Sequence, residues 1–273
     1  MPETLLGKRT GYPLRYARDV LRGIPRAGNR EALGISQSLP FHGKDIWTAY
    51  ELTWLESSGR PTVAVATIEV DAGSQAIVES KSLKLYLNSL AMERFESSAD
   101  LAALIKRDLS VTVQDEVLVT LATPPSVAAA GVRDLPGICI DAAADSCEVY
   151  AVDPSLLVNS DPGAHDTVAE EVHSHLLRSL CPVTGQPDFG SVLVRYRGTP
   201  IDRGSLLRYL VSYRNHNDFH ESCVERIFVD VKERCAPDAL TVHGFFNRRG
   251  GIDINPFRSD FEETAIHRRL WRQ

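Results

Sequence analysis

The residues best suited to covalent chemistry lie in Leu180-Cys181-Pro182-Val183-Thr184-Gly185-Gln186-Pro187-Asp188-Phe189-Gly190, which sets a thiol and a carboxylate seven positions apart. The prolines fix φ, and Gly185 can take a conformation closed to other residues, so a tight turn can bring both side chains to one spot. A thiolate attacks electrophilic carbon, and a nearby carboxylic acid moves the proton that such an attack requires. The same stretch also suits a buried structural cysteine followed by a Pro-Asp turn, because a free cysteine packs as a small apolar residue.

A second cluster is Asn215-His216-Asn217-Asp218-Phe219-His220-Glu221-Ser222-Cys223. Asp218 is placed to cap a helix, with Glu221 three residues on completing a capping pair. The other reading keeps Glu221, which falls off the apolar stripe, and His220 for a pocket that reads the edge of a purine-like base. Arg248-Arg249-Gly250-Gly251 offers guanidinium forks and close backbone approach to a phosphate, or else a strand end with a Gly-Gly bulge. Since no G-x-G-x-x-G occurs, a nicotinamide cofactor would need such a cradle. Lys81/Lys84, Arg195/Arg197 and Arg248/Arg249 are candidates for holding a phosphorylated ligand, or are solvated charged faces. His173 and His175 share a face with Cys181 if their strand runs on unbroken, a His/His/Cys set of the kind zinc takes. Against this, Pro182 is expected to end the strand, and no fourth ligand is evident.

Elements must position these groups. Residues 46–55 and 62–70 alternate as two strands around the turn Ser57-Ser58-Gly59-Arg60-Pro61. Residues 78–86 read as a strand end leading into a helix, which exposes Ser80 and Lys81, with Leu87, Leu90, Ala91 and Phe95 continuing at helical spacing. Ser97-Ser98-Ala99-Asp100 has capping-box form before the apolar face Leu101, Leu104 and Ile105, and 116–123 returns to strand. The pattern recurs as strands at 172–180 and 192–197, a stripe at Leu206, Leu207, Leu210 and Val211, a longer stripe from Phe219 to Val231, and a strand at 240–247. The expected fold is α+β, with antiparallel sheets carrying helices on one face. Its parts are an irregular N-terminal arm (1–45), a first unit (46–123), an Ala/Pro/Asp/Gly-rich connection (124–165) and a second unit (166–273). The two units read as copies of one ββααβ pattern, without a residue-level repeat.

At 273 residues the chain can bury a sizeable core, and a net charge of -6 with pI about 5.8 argues against gripping a nucleic-acid backbone. Five cysteines without a C-x-x-C pair indicate neither a disulfide framework nor a zinc ribbon, and point to reduced thiols in the cytoplasm. No run approaches the ~20 apolar residues of a membrane span, and the N-terminus lacks a signal-peptide pattern. A soluble, cytoplasmic protein is expected.

Taken together, Glu79-Ser80-Lys81-Ser82-Leu83-Lys84-Leu85-Tyr86, Cys181 to Asp188, Phe219-His220-Glu221-Ser222-Cys223 and Arg248-Arg249-Gly250-Gly251-Ile252-Asp253-Ile254-Asn255-Pro256 resemble one family. It is that of the NADPH-dependent 7-cyano-7-deazaguanine reductases of queuosine biosynthesis, in the long form with tandem tunnelling-fold (T-fold) units. The resemblance covers residues 79–256 and implies reduction of a nitrile to a primary amine by two NADPH, through a thioimide on Cys181 with Asp188 as the acid. It implies Val78, Glu79, Ser80, His220 and Glu221 around the substrate, and Ser80, Lys81, Arg249 and Gly250 around NADPH. No metal is implied. The free-base substrate requires no nucleic-acid binding, the family's homodimers are expected, and the site should draw on both units. Cys223 would either form a reversible protective disulfide with Cys181 or simply pack in its helix. The alternatives are a zinc-dependent T-fold pterin cyclohydrolase or synthase using His173, His175 and Cys181, and a non-catalytic purine-binding T-fold protein.

Overall fold

The computed structural model describes residues 5, 7, 11–36, 38–123, 125–126, 130–160 and 167–273; the rest of the expected arm and connection lies outside the described residues. The chain forms two compact units. The first comprises Met1–Ala32, Lys44–Gly131 and Arg248–Ile254, and the second Leu33–Gly43, Val132–Asn247 and Asn255–Gln273.

In the first unit the order is β1 (Gly23–Pro25), α1 (Ala27–Glu31), β2 (His42–Glu56, from Lys44 in this unit), β3 (Pro61–Asp71), β4 (Ala76–Val78), α2 (Ser80–Ser89), β5 (Arg94–Phe95), α3 (Ser98–Val113) and β6 (Val117–Ala122). Strands β6, β3 and β2 pair antiparallel in that order. Period-two alternation decides which face is covered: Ala64, Ala66, Ile68 and Val70 of β3 are buried, while Val63 on the other face is 56% exposed. On the buried face sit Leu83, Tyr86 and Leu87 of α2 and Leu101, Ile105, Leu109 and Val113 of α3, spaced three or four apart as one helical stripe requires. Ser97 and Asp100 form the expected capping box.

Two expectations change here. The helix that was to reach Phe95 stops at Ser89, because the chain tightens into i→i−3 bonds (Leu90 to Leu87, Ala91 to Asn88, Glu93 to Leu90), and Phe95 joins β5 beside β2. Nor is the N-terminal arm irregular throughout: β1 pairs with β4, and the buried Arg26 guanidinium lies 2.5 Å from Asp45.

The second unit contains β7 (Val132–Arg133), β8 (Ile138–Cys139), β9 (Val168–Leu180), β10 (Pro187–Gly198), α4 (Arg203–Ser212), α5 (His220–Cys235), β11 (Ala239–Phe246), β12 (Ile252–Ser259, from Asn255 in this unit) and β13 (Arg269–Leu270). Strands β12, β11, β10 and β9 pair antiparallel, and β8 adds to β9 in parallel. Part of the expected connection is therefore a sheet edge. The α+β class with antiparallel sheets is what the chain adopts, and no helix among the described residues is long and apolar enough to cross a membrane.

Structure also supplies the residue-level repeat that periodicity alone did not reveal. Glu79 and Asp202 cap α2 and α4, and each helix then carries Ser, Leu, Tyr, Leu and Ser at matching positions, from Ser82 to Ser89 and from Ser205 to Ser212. Tyr86 donates to Asp108 of α3 at 2.8 Å, and Tyr209 donates to Asp230 of α5 at 2.6 Å. Helices α3 and α5 have 16 residues each, and both end on a left-handed non-glycine residue, Gln114 or Ala236. Burial, reinforced by the neighbouring aspartates, raises the pKa of both Tyr86 and Tyr209, so each stays a hydrogen-bond donor.

Candidate active site

In the second unit Cys181 and Asp188 flank the β9–β10 hairpin. Leu180 pairs with Pro187 and Ser179 with Asp188. The Cys181 amide donates to the Gln186 carbonyl at 2.9 Å, extending the ladder by one pair, and the Gly185 amide donates back to the Cys181 carbonyl at 2.9 Å. Gly185 has φ +66, a value that favours glycine. Because side chains alternate and paired residues share a face, Ser179, Cys181 and Asp188 lie on one side of the hairpin. Cys181 is partly exposed and Asp188 is buried.

Helix α5 begins against this hairpin. The Leu180 amide donates to the His216 carbonyl at 2.8 Å and the Asp218 amide to the Leu180 carbonyl at 3.1 Å, so the segment before the helix is held along the end of β9. That places Asp218 one residue too early to cap. Its Oδ1 accepts from the Phe219 amide at 2.8 Å, and the N-cap position falls on Phe219 rather than on Asp218 as expected. The first turn instead presents His220 and Glu221. His220 Nε2 lies 3.3 Å from Asp188 Oδ1, and its ring stacks on Phe246 with centroids 3.9 Å apart and planes within 7°. Glu221 is 3% exposed although it sits off the apolar stripe. Cys223 is fully buried, and burial above all, with Asp218 next, pushes its thiol pKa well above the ordinary value. In this arrangement Cys223 packs as a core residue and is a poor source of the thiolate that a disulfide with Cys181 needs.

The Glu-Ser-Lys motif lies at the start of α2 in the first unit. Glu79 is completely buried; its two carboxylate oxygens accept from the amides of Lys81 at 3.1 Å and Ser82 at 2.9 Å. A carboxylate oxygen can accept more than one hydrogen bond, so capping leaves acceptor capacity. Val78 belongs to the apolar core just before it, while Ser80 and Lys81 are partly exposed on the first turn, where a helix favours negative charge.

Arg249-Gly250-Gly251-Ile252 is a tight turn, closed by Arg249 N–H to Ile252 O at 2.9 Å and Ile252 N–H to Arg249 O at 3.2 Å, with φ +54 and +77 at the glycines. A Cβ on Gly250 would stand 3.1 Å from Lys84 Cδ, and one on Gly251 would meet Glu51 at 2.5 Å. The glycines thus serve turn geometry and also let the backbone pack close against Lys84 and Glu51. A cleft lined by Glu51, Thr53, Lys84, Asn88, Gly250 and Gly251 opens beside them. Arg248 lies over the Tyr50 ring, 4.7 Å from its centroid. Of the three basic pairs, Arg195/Arg197 has one member already engaged, Arg195, which faces Glu262 at 3.0 Å and Glu171 at 3.6 Å.

The set His173, His175 and Cys181 does not assemble. Strand β9 ends at Leu180, and Cys181 follows His175 by six residues, about 20 Å along a strand. Cys139 takes its place beside the two histidines. Sequence reading missed Cys139 because its two-residue strand sits in a stretch without strand-like alternation.

Two family models match the chain, one described as "Nitrile reductase, 7-cyano-7-deazaguanine-reductase N-term" over residues 12–121 and one as "QueF-like protein" over residues 187–265. These define the class, an α+β nitrile reductase. The chain is 50% identical over 261 residues to the NADPH-dependent 7-cyano-7-deazaguanine reductase of Dechloromonas aromatica (strain RCB), a match covering 95% of this chain and 91% of that protein. With the enzyme of the same description from Burkholderia cenocepacia (strain HI2424) it shares 49% over 258 residues, covering 94% of each. The chain belongs to the NADPH-dependent 7-cyano-7-deazaguanine reductase family. Among solved structures, an archaeosine synthase QueF-Like in the apo form aligns with TM-score 0.32 and 19% identity over 37% of this chain and 99% of that one.

Proposed function

We infer that this chain is an oxidoreductase that reduces the nitrile of 7-cyano-7-deazaguanine to 7-aminomethyl-7-deazaguanine with NADPH, in queuosine biosynthesis. Membership of the family supports the reaction. The observation that carries the residue assignment is the Asp188–His220 pair, 3.3 Å apart, on the hairpin face that Cys181 shares.

A nitrile carbon is a weak electrophile. Attack begins as the Cys181 thiol passes its proton to Asp188 and the sulfur adds to that carbon, forming a C–S bond, while Asp188 delivers the proton to the nitrogen and a thioimide results. NADPH, when bound, supplies hydride to that carbon and then to the imine left once the C–S bond breaks and the Cys181 thiolate departs. Each hydride step leaves a nitrogen that takes one more proton, the nitrogen gives one proton back to Asp188 as the thiolate departs and the imine forms, and His220 Nε2 is placed to exchange protons with Asp188 between them. Stacking on Phe246 holds the His220 ring in the plane this exchange needs.

Glu79 and Glu221 are each suited to accept from the adjacent N–H donors of a deazaguanine edge, and Val78, Ser80 and His220 are assigned to substrate contact by the family likeness. Ser80, Lys81, Arg249 and Gly250 would hold NADPH, with Lys81 suited to a phosphate charge and Lys84 assisting. We assign each unit, 46–123 and 166–273, to the tunnelling fold, the assembly to a homodimer and the site of action to the cytoplasm.

NADPH oxidation with 7-cyano-7-deazaguanine tests the assignment. Cys181→Ala should abolish turnover and the covalent adduct seen by mass spectrometry, and Asp188→Asn should lower kcat by about 10²–10⁴. Turnover that survives in Cys181→Ala would end the mechanism. A wild-type protein that binds the nitrile yet forms no adduct and oxidises no NADPH would be a binder only.

A further inference from the structure

A group of metal-ligating side chains lies in the second unit at the β8–β9 edge. In the parallel pairing Cys139 is opposite His173, and His175 is two residues further along β9. Paired residues and those two apart share a face, so all three project to the same side. One ring nitrogen from each histidine and Cys139 Sγ all lie within 4.8 Å of one another.

The buried imidazoles are already oriented. His173 is 4% exposed; its Nδ1 is 2.8 Å from the Pro136 carbonyl, which can only accept, so Nδ1 carries the proton and Nε2 keeps its lone pair. That Nε2 is buried without a hydrogen-bond partner among the described residues. A buried acceptor left unsatisfied is costly, and a histidine whose other nitrogen donates to a carbonyl is the usual arrangement of a metal ligand. His175, 7% exposed, places Nδ1 2.7 Å from Ser191 Oγ. Ser191 reaches it at the irregularity between Gly190 and Val192 of β10, so a bulge aims the hydroxyl. The other nitrogen, Nε2, lies 3.1 Å from Asp134 Oδ1, whose side chain is 63% exposed.

We propose that Cys139, His173 and His175 form a site for a borderline transition cation such as Zn²⁺, with Asp134 or water as fourth ligand. Thiolate and imidazole are the donors zinc prefers, and a carboxylate completes a four-coordinate set. Bonds of about 2.0 Å to nitrogen and 2.3 Å to sulfur place tetrahedral donors roughly 3.3–3.5 Å apart. Cys139, exposed on its short strand, closes the remaining gap. The ion would tie β8 and the Asp134 segment to β9, about 20 Å along the strand from Cys181.

Full-length untagged protein, stripped with a chelator and titrated with Co²⁺ and then Zn²⁺, provides the test. The wild type and Cys181→Ala should each take up one equivalent of Co²⁺ with a thiolate-to-cobalt charge-transfer band, bleached by Zn²⁺, and should unfold at higher temperature with metal than without. Cys139→Ser, at an exposed position, should fold normally by circular dichroism, lose the band and bind at least about tenfold more weakly. His173→Gln should weaken binding similarly while leaving Cys139 reactive to thiol reagents in the presence of metal. Absence of bound cobalt in the wild type overturns the proposal, as does a band that persists in Cys139→Ser or disappears in Cys181→Ala.

Discussion

Helices α3 and α5 are the same element used twice, and they differ where it matters. Both run 16 residues, both end on a left-handed residue, and both place a buried aspartate on a tyrosine of the preceding helix. At the start of α3 the capping box of Ser97 and Asp100 satisfies the helix's own amides. At the start of α5 the N-cap is Phe219, with no side-chain cap, and the turn carries His220 and Glu221 instead. A helix without a side-chain cap forgoes about 1 kcal/mol of stability. In exchange its N-terminal turn keeps polar side chains for another partner, here Asp188. The reverse holds for the preceding pair: Asp202 simply caps α4, while Glu79, in the same role on α2, opens the Glu-Ser-Lys motif. In the proposed site each unit would specialise one helix start and leave the other structural.

The sharpest way to break this comparison is to alter the two matched starts in turn. His220→Ala should lower kcat by about 10² or more with the fold retained by circular dichroism. Ser97→Ala should cost about 1 kcal/mol in denaturant unfolding and leave kcat unchanged. Equal kinetic losses in both would show that α5 is not the specialised copy.

Acid should separate the units next. His243 of β11 is completely buried, and burial above all, with Arg195 and His267 next, lowers its pKa to about 3. The unfolded chain binds its proton near pH 6.5 and the folded one does not until about 3. Stability is therefore whole above pH 6.5 and falls with pH below it, by roughly 1.4 kcal/mol per unit from this group. In the first unit the buried Arg26 is paired with Asp45 at 2.5 Å. Urea midpoints measured from pH 7 to 4 should fall less steeply in His243→Leu than in wild type; parallel slopes would remove His243 as the cause.

A smaller contrast lies in the shared Tyr–Asp bond. Tyr209→Phe should cost about 2 kcal/mol, because Asp230 loses its tyrosine donor. Tyr86→Phe should cost less, about 1 kcal/mol, since Asp108 keeps Tyr16 at 2.7 Å and Arg107 at 3.0 Å. The reverse order in thermal unfolding would show that the two bonds are not equivalent in the way the repeat suggests.

What sequence determined here was local. Strand alternation at 46–55 and 62–70, the Ser97 capping box and the turn between Cys181 and Asp188 all depend on residues within a few positions of one another, so composition and period suffice to read them. Short range also explains the errors: apolar spacing carried α2 on to Phe95, and the Asp218–Glu221 spacing suggested a cap, because neither pattern records the hydrogen bonds that stop the chain at Ser89 or hold residues 216–218 along β9. Only tertiary structure decided which side chains meet across long separations. It set His220 on Asp188, Tyr209 on Asp230, and Cys139 rather than Cys181 beside His173 and His175. Those pairings follow from strand register and helix docking, which many distant residues fix together through burial, and no window of neighbouring residues contains them.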